Sequence, residues 1–442
     1  MAGEWQTKSL GDLAQLHNER INPCGCPDRV FLHFSIPAFD SGRLPVIEMG
    51  ASIDSHKFTV PPDAILLSRL NPRIPRVWEP NITEDGTAIC STEFMVLRPR
   101  SGTDRGFLKY VCLSPTLREK MRAYVTGSSG SHQRVMADDV LAIEMDVPVD
   151  ITEQRAIAHI LGTLDDKIEL NQRMSNTLEA MARALFKAWF VDFEPVRAKA
   201  EGRDTGFPKL LGDLFPDCLV DSELGKIPEG WGVGVLGDLI HTVKGCSYKS
   251  EELAESDTAL VTLKSFAKGG GYRPDGLKSF TGSYKPKQVV QPGDLVIACT
   301  DVTQAAEVIG RPAVVRGTGV YRRLVASLDT LIVRPRDSDM TRSFLYFLAA
   351  TEAFVAHTFA HTIGTTVLHL AKEAVPTFRF ARPSSQLVEQ FDALAGPALE
   401  RIQALEEESG ILAALRDALL PKLISGELRV NDADSFMERV AS

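Results

Sequence analysis

The sequence predicts an α+β protein in which two pseudo-repeated globular domains are separated by two long helices forming an antiparallel coiled-coil spacer. Three observations lead there. Short motifs recur at a separation that drifts from 226 to 236 residues; each copy of the motif series ends in a long helical pattern; and the two helical patterns carry matching apolar heptads.

The repeat opens with "WQTKSLGDL" (5–13) and "WGVGVLGDL" (231–239), in which Trp5/Trp231 and both LGDL tetrapeptides are 226 positions apart. Next, "VPPDAILLS" from Val60 resembles "VQPGDLVIA" from Val290, and each reads as a buried strand entered through a proline turn. "FMVLRPR" (94–100) then matches "TLIVRPR" (330–336), strands that Pro ends, each followed by a helix-like "GFLKYV" or "SFLYFL". Finally "PVDITEQ" and "PSSQLVEQ", ending at Gln154 and Gln390, lead into the long helices. Insertions in loops between equivalent elements account for the drift. The boundaries follow: domains at 1–150 and 226–383, helices at 151–200 and 384–428, a linker at 201–225 and a tail at 429–442.

The first helix starts near Thr152, a good cap, and stops near Pro195. Ile157, Leu164, Leu178 and Leu185 fall on one heptad position, with Asn171 inside the series; Ile160, Met174, Met181 and Ala188 fall on a second, with Lys167 inside it and Ile168 beside it. A buried Asn at such a position fixes register at some cost in stability. Phe391, Ala398, Leu405, Leu412 and Leu419 form the matching series 234 residues later. A helix of roughly 40 residues spans about 60 Å, the length of a spacer. Pro397 and Gly410 put the second helix's continuity in doubt. Phe186, Trp189, Phe190 and Phe193 surround more than one face of the first helix, and this surplus points to the docking of a further partner.

Composition narrows the function classes. The chain has 442 residues, 44% of them hydrophobic, enough for more than one core. No apolar run is long enough for a membrane helix, and the charged N-terminus does not read as a signal peptide, so the expected location is the cytoplasm. Seven scattered cysteines fit reduced thiols; Cys24 and Cys26 form a C-x-C pair, but no second Cys/His pair follows at zinc-finger spacing, so no metal site is expected. No phosphate-binding G-x-x-x-x-G-K-[ST] loop and no H-E-x-x-H occurs. "NPRIP" (71–75) lacks the aromatic residue of an adenine-methyltransferase motif, and "PDGLK" (274–278) lacks the acidic-x-Lys partner of a nuclease. No catalytic residue is assigned.

The net charge of −9 is the wrong sign for a protein that coats DNA by charge alone. Residues 264–287, however, hold six basic residues against one acidic, interleaved with Phe266, Tyr272, Phe280 and Tyr284; this pattern suits a phosphate backbone or, equally, a solvated surface loop.

Two similar domains, matching helices and no catalytic motif describe a two-site reader. The chain resembles the specificity subunit of type I restriction-modification enzymes, on the strength of "EQRAIAHILGTLDDKIELNQRMSNTLEAMARALFKAWFVDFEPVRAKAEG" (153–202), "FPDCLVDSELGKIPEGW" (215–231), the duplicated LGDL and the terminal "ALLPKLISGELRV". The resemblance covers essentially the whole chain. It implies that each domain is a target recognition domain reading one half of a bipartite, gapped site in double-stranded DNA. The helices would set the spacing and hold two methyltransferase (modification) subunits, to which two restriction subunits add. It also implies that adenine-N6 methylation and ATP-dependent cleavage belong to those partners, along with S-adenosylmethionine, ATP and Mg2+, and that this chain carries no cofactor.

Base readers are polar side chains able to meet base edges, Arg suiting guanine and Asn or Gln adenine. In the first domain the candidates are Arg69, Asn71, Arg73 and Arg76, and Ser128, Ser129, Ser131, His132, Gln133 and Arg134 of "TGSSGSHQR". The second offers Thr362, Thr365, Thr366 and His369 of "HTIGTTVLH", with Lys264, Lys268, Arg273, Lys278, Lys285 and Lys287. Candidate partner or helix–helix contacts are Ile157, Leu164, Asn171, Leu178, Leu185, Phe186, Trp189, Phe190 and Phe193 on the first helix, and Phe391, Leu405, Leu412 and Leu419 on the second. A non-catalytic helical scaffold with two ligand-binding domains is the alternative reading. It too would show duplication and heptads, but would not co-purify with a methyltransferase.

Overall fold

The structure, a computed structural model, describes residues 4–82, 87–125, 133–301, 306–317, 320–337, 340–430 and 432. The chain divides into two compact units, 1–169 with 411–442, and 170–410.

The first unit runs β1 (Trp5–Ser9), α1 (Leu10–Leu13), β2 (Ala14–His17), β3 (Arg20–Ile21), β4 (Val30–Phe34), α2 (Ile36–Asp40), β5 (Val46–Met49), β6 (Lys57–Thr59), β7 (Ile65–Ser68), β8 (Val77–Trp78), β9 (Ala88–Cys90), β10 (Phe94–Pro99), α3 (Arg105–Leu113), α4 (Pro115–Ala123), α5 (Ala137–Leu141), β11 (Glu144–Pro148) and the start of α6 (Ile151–Phe190). The tetrapeptide LGDL forms α1 because Ser9 and Asp12 cap it reciprocally: the Asp12 amide donates to Ser9 Oγ (3.1 Å) and the Ser9 amide to Asp12 Oδ2 (2.8 Å). β2-β10-β7-β8 form one sheet and β3-β6-β9-β4-β5 another, while β1 pairs with β11. The apolar runs of β7 and β10 are buried on both sides. Ile65, Leu67, Met95 and Leu97 face α3 and the long helices, whereas Leu66, Phe94 and Val96, with Trp78 of the same sheet, meet Phe34 and Cys90 of the second layer. The two-residue period of a strand thus lets one strand pair serve two cores.

The second unit takes the rest of α6, then α7 (Glu194–Ala200), α8 (Lys209–Gly212), β12 (Leu219–Ser222), β13 (Gly225–Pro228), β14 (Gly232–Val235), α9 (Leu236–Leu239), β15 (Ile240–Lys244), β16 (Thr258–Val261), β17 (Lys278–Ser279), β18 (Val289–Val290), β19 (Leu295–Ala298), β20 (Thr300–Asp301), β21 (Pro312–Val314), β22 (Arg323–Ala326), β23 (Thr330–Pro335), α10 (Arg342–Ala349), α11 (Glu352–Ala360), β24 (Thr362–Ile363), β25 (Leu368–Leu370), β26 (Arg379–Arg382) and α12 (Ser385–Ser425). Its topology repeats the first. β14 pairs with β26, β15-β23-β19-β21 match β2-β10-β7-β8, and β18-β22-β16-β17 match β6-β9-β4-β5, with a parallel pair inside the last sheet in both units.

In both units α6 and α12 pack antiparallel. Ile157, Leu161 and Leu164 share a core with Leu415, Leu419 and Leu423 in the first; Phe186, Trp189 and Phe190 share one with Leu387, Phe391 and Ala395 in the second. Between these levels Asn171, 1% exposed, donates from Nδ2 to Leu405 O (3.4 Å), Glu408 Oε2 (3.0 Å) and Ser409 Oγ (3.3 Å). The first stripe on α6 therefore lies inside, with Leu178 and Leu185 half-buried, and Leu405 and Leu419 are buried on α12 with Leu412 half-buried.

Three expectations are corrected. The second buried stripe of α6 is displaced from Ile160, Met174, Met181 and Ala188, of which only Ile160 and Ala188 pack, partly buried, against the cores. It runs through Leu161, Ile168, Ser175, Ala182 and Trp189, four residues after the first series rather than three; Met174 and Met181 are exposed. The surplus aromatics are covered from within the chain: Trp189 packs edge-on to Phe207 and Phe215, and Phe190 and Phe193 meet Trp231, so the segment after α6 folds back over them. And α12 is one helix of 41 residues that passes through Pro397 and Gly410, both of which are exposed.

Candidate nucleic-acid interface

In the first unit, the candidate readers after β7 and those before α5, about sixty residues apart in sequence, come together. Leu70 bridges Arg134, the Asn71 amide donates to Gln133 O (2.8 Å), and the Val135 amide to Arg69 O (3.2 Å). Asn71 sits in the left-handed region (φ 50°), a conformation that Asn tolerates better than most residues, and the Ile74 amide returns to its carbonyl (2.9 Å), closing a turn through Pro72 and Arg73. This turn presents Arg73 to solvent.

Glu93, which the sequence reading did not single out, organises the cluster. Its carboxylate accepts two bonds from Arg134, Nε to Oε2 (3.0 Å) and Nη2 to Oε1 (2.7 Å), and lies 3.8 Å from Arg69 Nε. The hydrogen bond to Glu93 raises the pKa of Arg134. Arg76 departs from expectation: it is buried and gives both Nε and Nη2 to Asp40 (2.7 and 2.8 Å), a structural pair rather than a base reader. Ser128, Ser129, Ser131 and His132 lie outside the described residues.

The second unit uses the same backbone frame. The Cys299 amide donates to Asp329 O (2.7 Å) as the Arg69 amide does to Glu93 O (3.0 Å), and the Leu370 amide donates to Cys299 O (2.8 Å) as the Val135 amide does to Arg69 O. Asp329, immediately before β23, thus takes the place of Glu93, immediately before β10, but its carboxylate accepts from Thr300 Oγ1 (2.9 Å). β20 pairs with β25, Thr300 opposite His369 and Asp301 opposite Leu368, and β24 completes a hairpin. Thr365, Thr366 and His369 are exposed there with Ile363, whereas Thr362 is tied through Oγ1 to Phe359 O (2.8 Å). The equivalence of "STEF" (91–94) and "SLDT" (327–330) at an offset of 236 is the signal that would have found both carboxylates.

In the basic segment, Lys264, Lys268, Arg273, Lys285 and Lys287 are exposed, and Lys278 stacks its ammonium over Tyr248 (5.8 Å). Lys268 pairs with Glu307 (2.9 Å) and Arg273 with Asp275. The interleaved aromatics do not offer stacking faces. Phe266 and Tyr272 belong to one core and Phe280 to another, with Tyr284 packed against it. Among the described residues no cluster of three or more His, Cys, Asp or Glu could hold a metal ion, and no single helix is long and apolar enough to cross a membrane.

Residues 2–180 match the family model described as the type I restriction modification DNA specificity domain. The chain is 23% identical to the specificity subunit of the type I restriction enzyme HindI of Haemophilus influenzae, over 96% of this chain and 100% of that protein. It is 26% identical to the MjaIX specificity subunit of Methanocaldococcus jannaschii, over 77% of this chain and 72% of that one. The crystal structure of a type I restriction-modification S subunit from M. genitalium superposes with a TM-score of 0.54 at 14% identity, covering 96% of each chain, a likeness of fold. Residues 2–180 thus carry the type I restriction modification DNA specificity domain, and over most of its length the chain is similar to specificity subunits of type I restriction enzymes.

Proposed function

We propose that this chain gives a type I restriction-modification complex its DNA sequence specificity, each globular half reading one half of a gapped site. The observation that carries the reading is the pair of equivalent frames: the same backbone bonds hold Arg69, Asn71, Gln133 and Arg134 in one unit and Thr300 and His369 in the other. A conserved frame with different polar side chains suits one docking mode and two different half-sites. Arg73, Thr365 and Thr366 extend the two surfaces, and the exposed lysines of 264–287 suit phosphate contacts, which position without specifying.

The long helices then set the distance between half-sites and carry two modification subunits, with two restriction subunits completing the nuclease. With the predicted aromatic surface buried, the side chains left for those partners are Leu170, Met174 and Met181 on α6 and Leu394 and Ile411 on α12, exposed by 37–65%. S-adenosylmethionine, ATP and Mg2+ act in the partners, and the complex works in the cytoplasm. Exchanging residues 1–150 for those of another specificity subunit and mapping the methylated motif tests the division of labour. One half of the motif should change and the other persist; a change in both halves contradicts it.

A further inference from the structure

A second polar site lies away from the two frames, inside the second unit, where a loop of three glycines meets α6 and α10. Gly269, Gly270 and Gly271 all have positive φ (82°, 109° and 95°), a run that only glycine sustains, and their amides are bonded to Glu307 O, Ala267 O and Pro312 O (2.9, 3.0 and 2.9 Å). The loop is therefore held in shape. It lines a narrow pocket together with Arg183 of α6, Arg311 and Pro312, and Tyr346 of α10.

The charge in this pocket is unbalanced. Arg183 shares Glu179 with Tyr346: Arg183 Nη2 and Tyr346 Oη both donate to Glu179 Oε1 (2.8 and 2.6 Å). Arg311 differs: its Nε is buried with no hydrogen-bond partner among the described residues. A guanidinium N–H taken out of water and left unbonded is more costly than a neutral donor in the same position, unless something accepts from it. Arg311 cannot easily turn away, because its neighbour Gly310 is itself left-handed (φ 70°) and packs on Thr358 so closely that a side chain would not fit. Among the described residues no carboxylate lines the pocket, Glu179 entering only through its bonds to Arg183 and Tyr346, and the pocket has room for one oxygen-sized group, which excludes a nucleobase or a sugar.

We propose that Arg311 and Arg183, beside the glycine loop whose own amides are already bonded, form a binding site for a single phosphate-type oxyanion, with the two guanidinium groups as its donors. One oxygen enters between the loop and Arg311 while Arg183, half-exposed at the rim, meets a second. The ligand chemistry is the same whether the phosphate is free or belongs to a nucleic-acid backbone, and the site stands on geometry independent of the reading frames.

The test is thermal unfolding of the full-length chain in inorganic phosphate against chloride at matched ionic strength, for the parent, Arg311→Gln and Arg183→Gln. The midpoint of the parent should rise saturably with phosphate, as it does for any ligand bound only by the folded state. Both variants should lose most of that rise. Arg183→Gln changes a half-exposed side chain, so it decides the matter if Arg311→Gln unfolds in chloride. Absence of a phosphate-specific rise in the parent, or its retention in Arg183→Gln, overturns the site. Duplex binding as a function of salt then separates the sources: a backbone phosphate predicts that the log–log slope falls by about one in the variant. An unchanged slope with phosphate binding lost assigns the site to the free ion.

Discussion

Asp165 is the carboxylate on which three helices of the first unit converge. It accepts from Tyr110 Oη of α3 (2.8 Å) and Arg416 Nη1 of α12 (2.8 Å), with Lys109 Nζ at 3.5 Å. Burial works to raise its pKa, but the bonds from Arg416 and Tyr110 and the charges of Lys109 and Arg416 outweigh it, and the net shift is downward. A carboxylate whose folded pKa is depressed stabilises the fold above its unfolded pKa of about 3.9, and that contribution is lost as pH falls through the folded value. Asp165→Asn should therefore unfold more easily at pH 7, with the difference from the parent shrinking below about pH 4. Urea unfolding at several pH values checks this, and a difference that persists undiminished in acid contradicts it. Legibility at this scale was uneven. Arg69, Asn71 and Arg134 could be read as polar groups beside a strand, but Arg76 could not be told apart from them, because its partner Asp40 lies 36 residues away on a separate element.

At the scale of elements, α12 holds two residues that ordinarily weaken helices. Gly410 is exposed, with nothing within 4 Å of the position a Cβ would take, and its φ is not left-handed. Gly410→Ala should raise stability by about 0.5–1 kcal/mol, read from chemical denaturation; a loss would mean that the helix is not continuous there. Asn171 makes the opposite trade. Its Oδ1 is buried without a partner among the described residues while Nδ2 spans to α12, so Asn171→Leu should raise the unfolding midpoint by the equivalent of about 1 kcal/mol while relaxing helix register. A lowered midpoint would contradict this. The first heptad series was legible because one apolar residue every seven survives small errors of phase. The second was not, since steps of three and four residues both keep a helix face, and Met174 and Met181 look more apolar than the Ser175 and Ala182 that are buried in their place. The aromatics of Leu185–Phe193 misled for a related reason: sequence shows that they need cover, not whether the chain provides it.

For the whole molecule, duplication was the most legible property and specificity the least. Motifs such as LGDL and the two Pro-ended strands recur because each unit needs the same short turn between strands, capped by a side chain only in the first, and the same doubly buried strand pair. The residues between them are free to differ, which under the proposed function would suit them to different half-sites and makes them hard to read in advance. Electrostatics supports a chain that works within a complex: 16 basic residues stand against 19 acidic in 1–150, so phosphate attraction there is local rather than general. The measurement that tests the central claim most directly is methylation mapping of a methylation-free host that expresses this chain together with its modification subunit, against a host expressing that subunit alone. The account predicts a split, gapped adenine-methylation motif only when both are present. A motif that appears without this chain, or none although the two proteins co-purify, would contradict it.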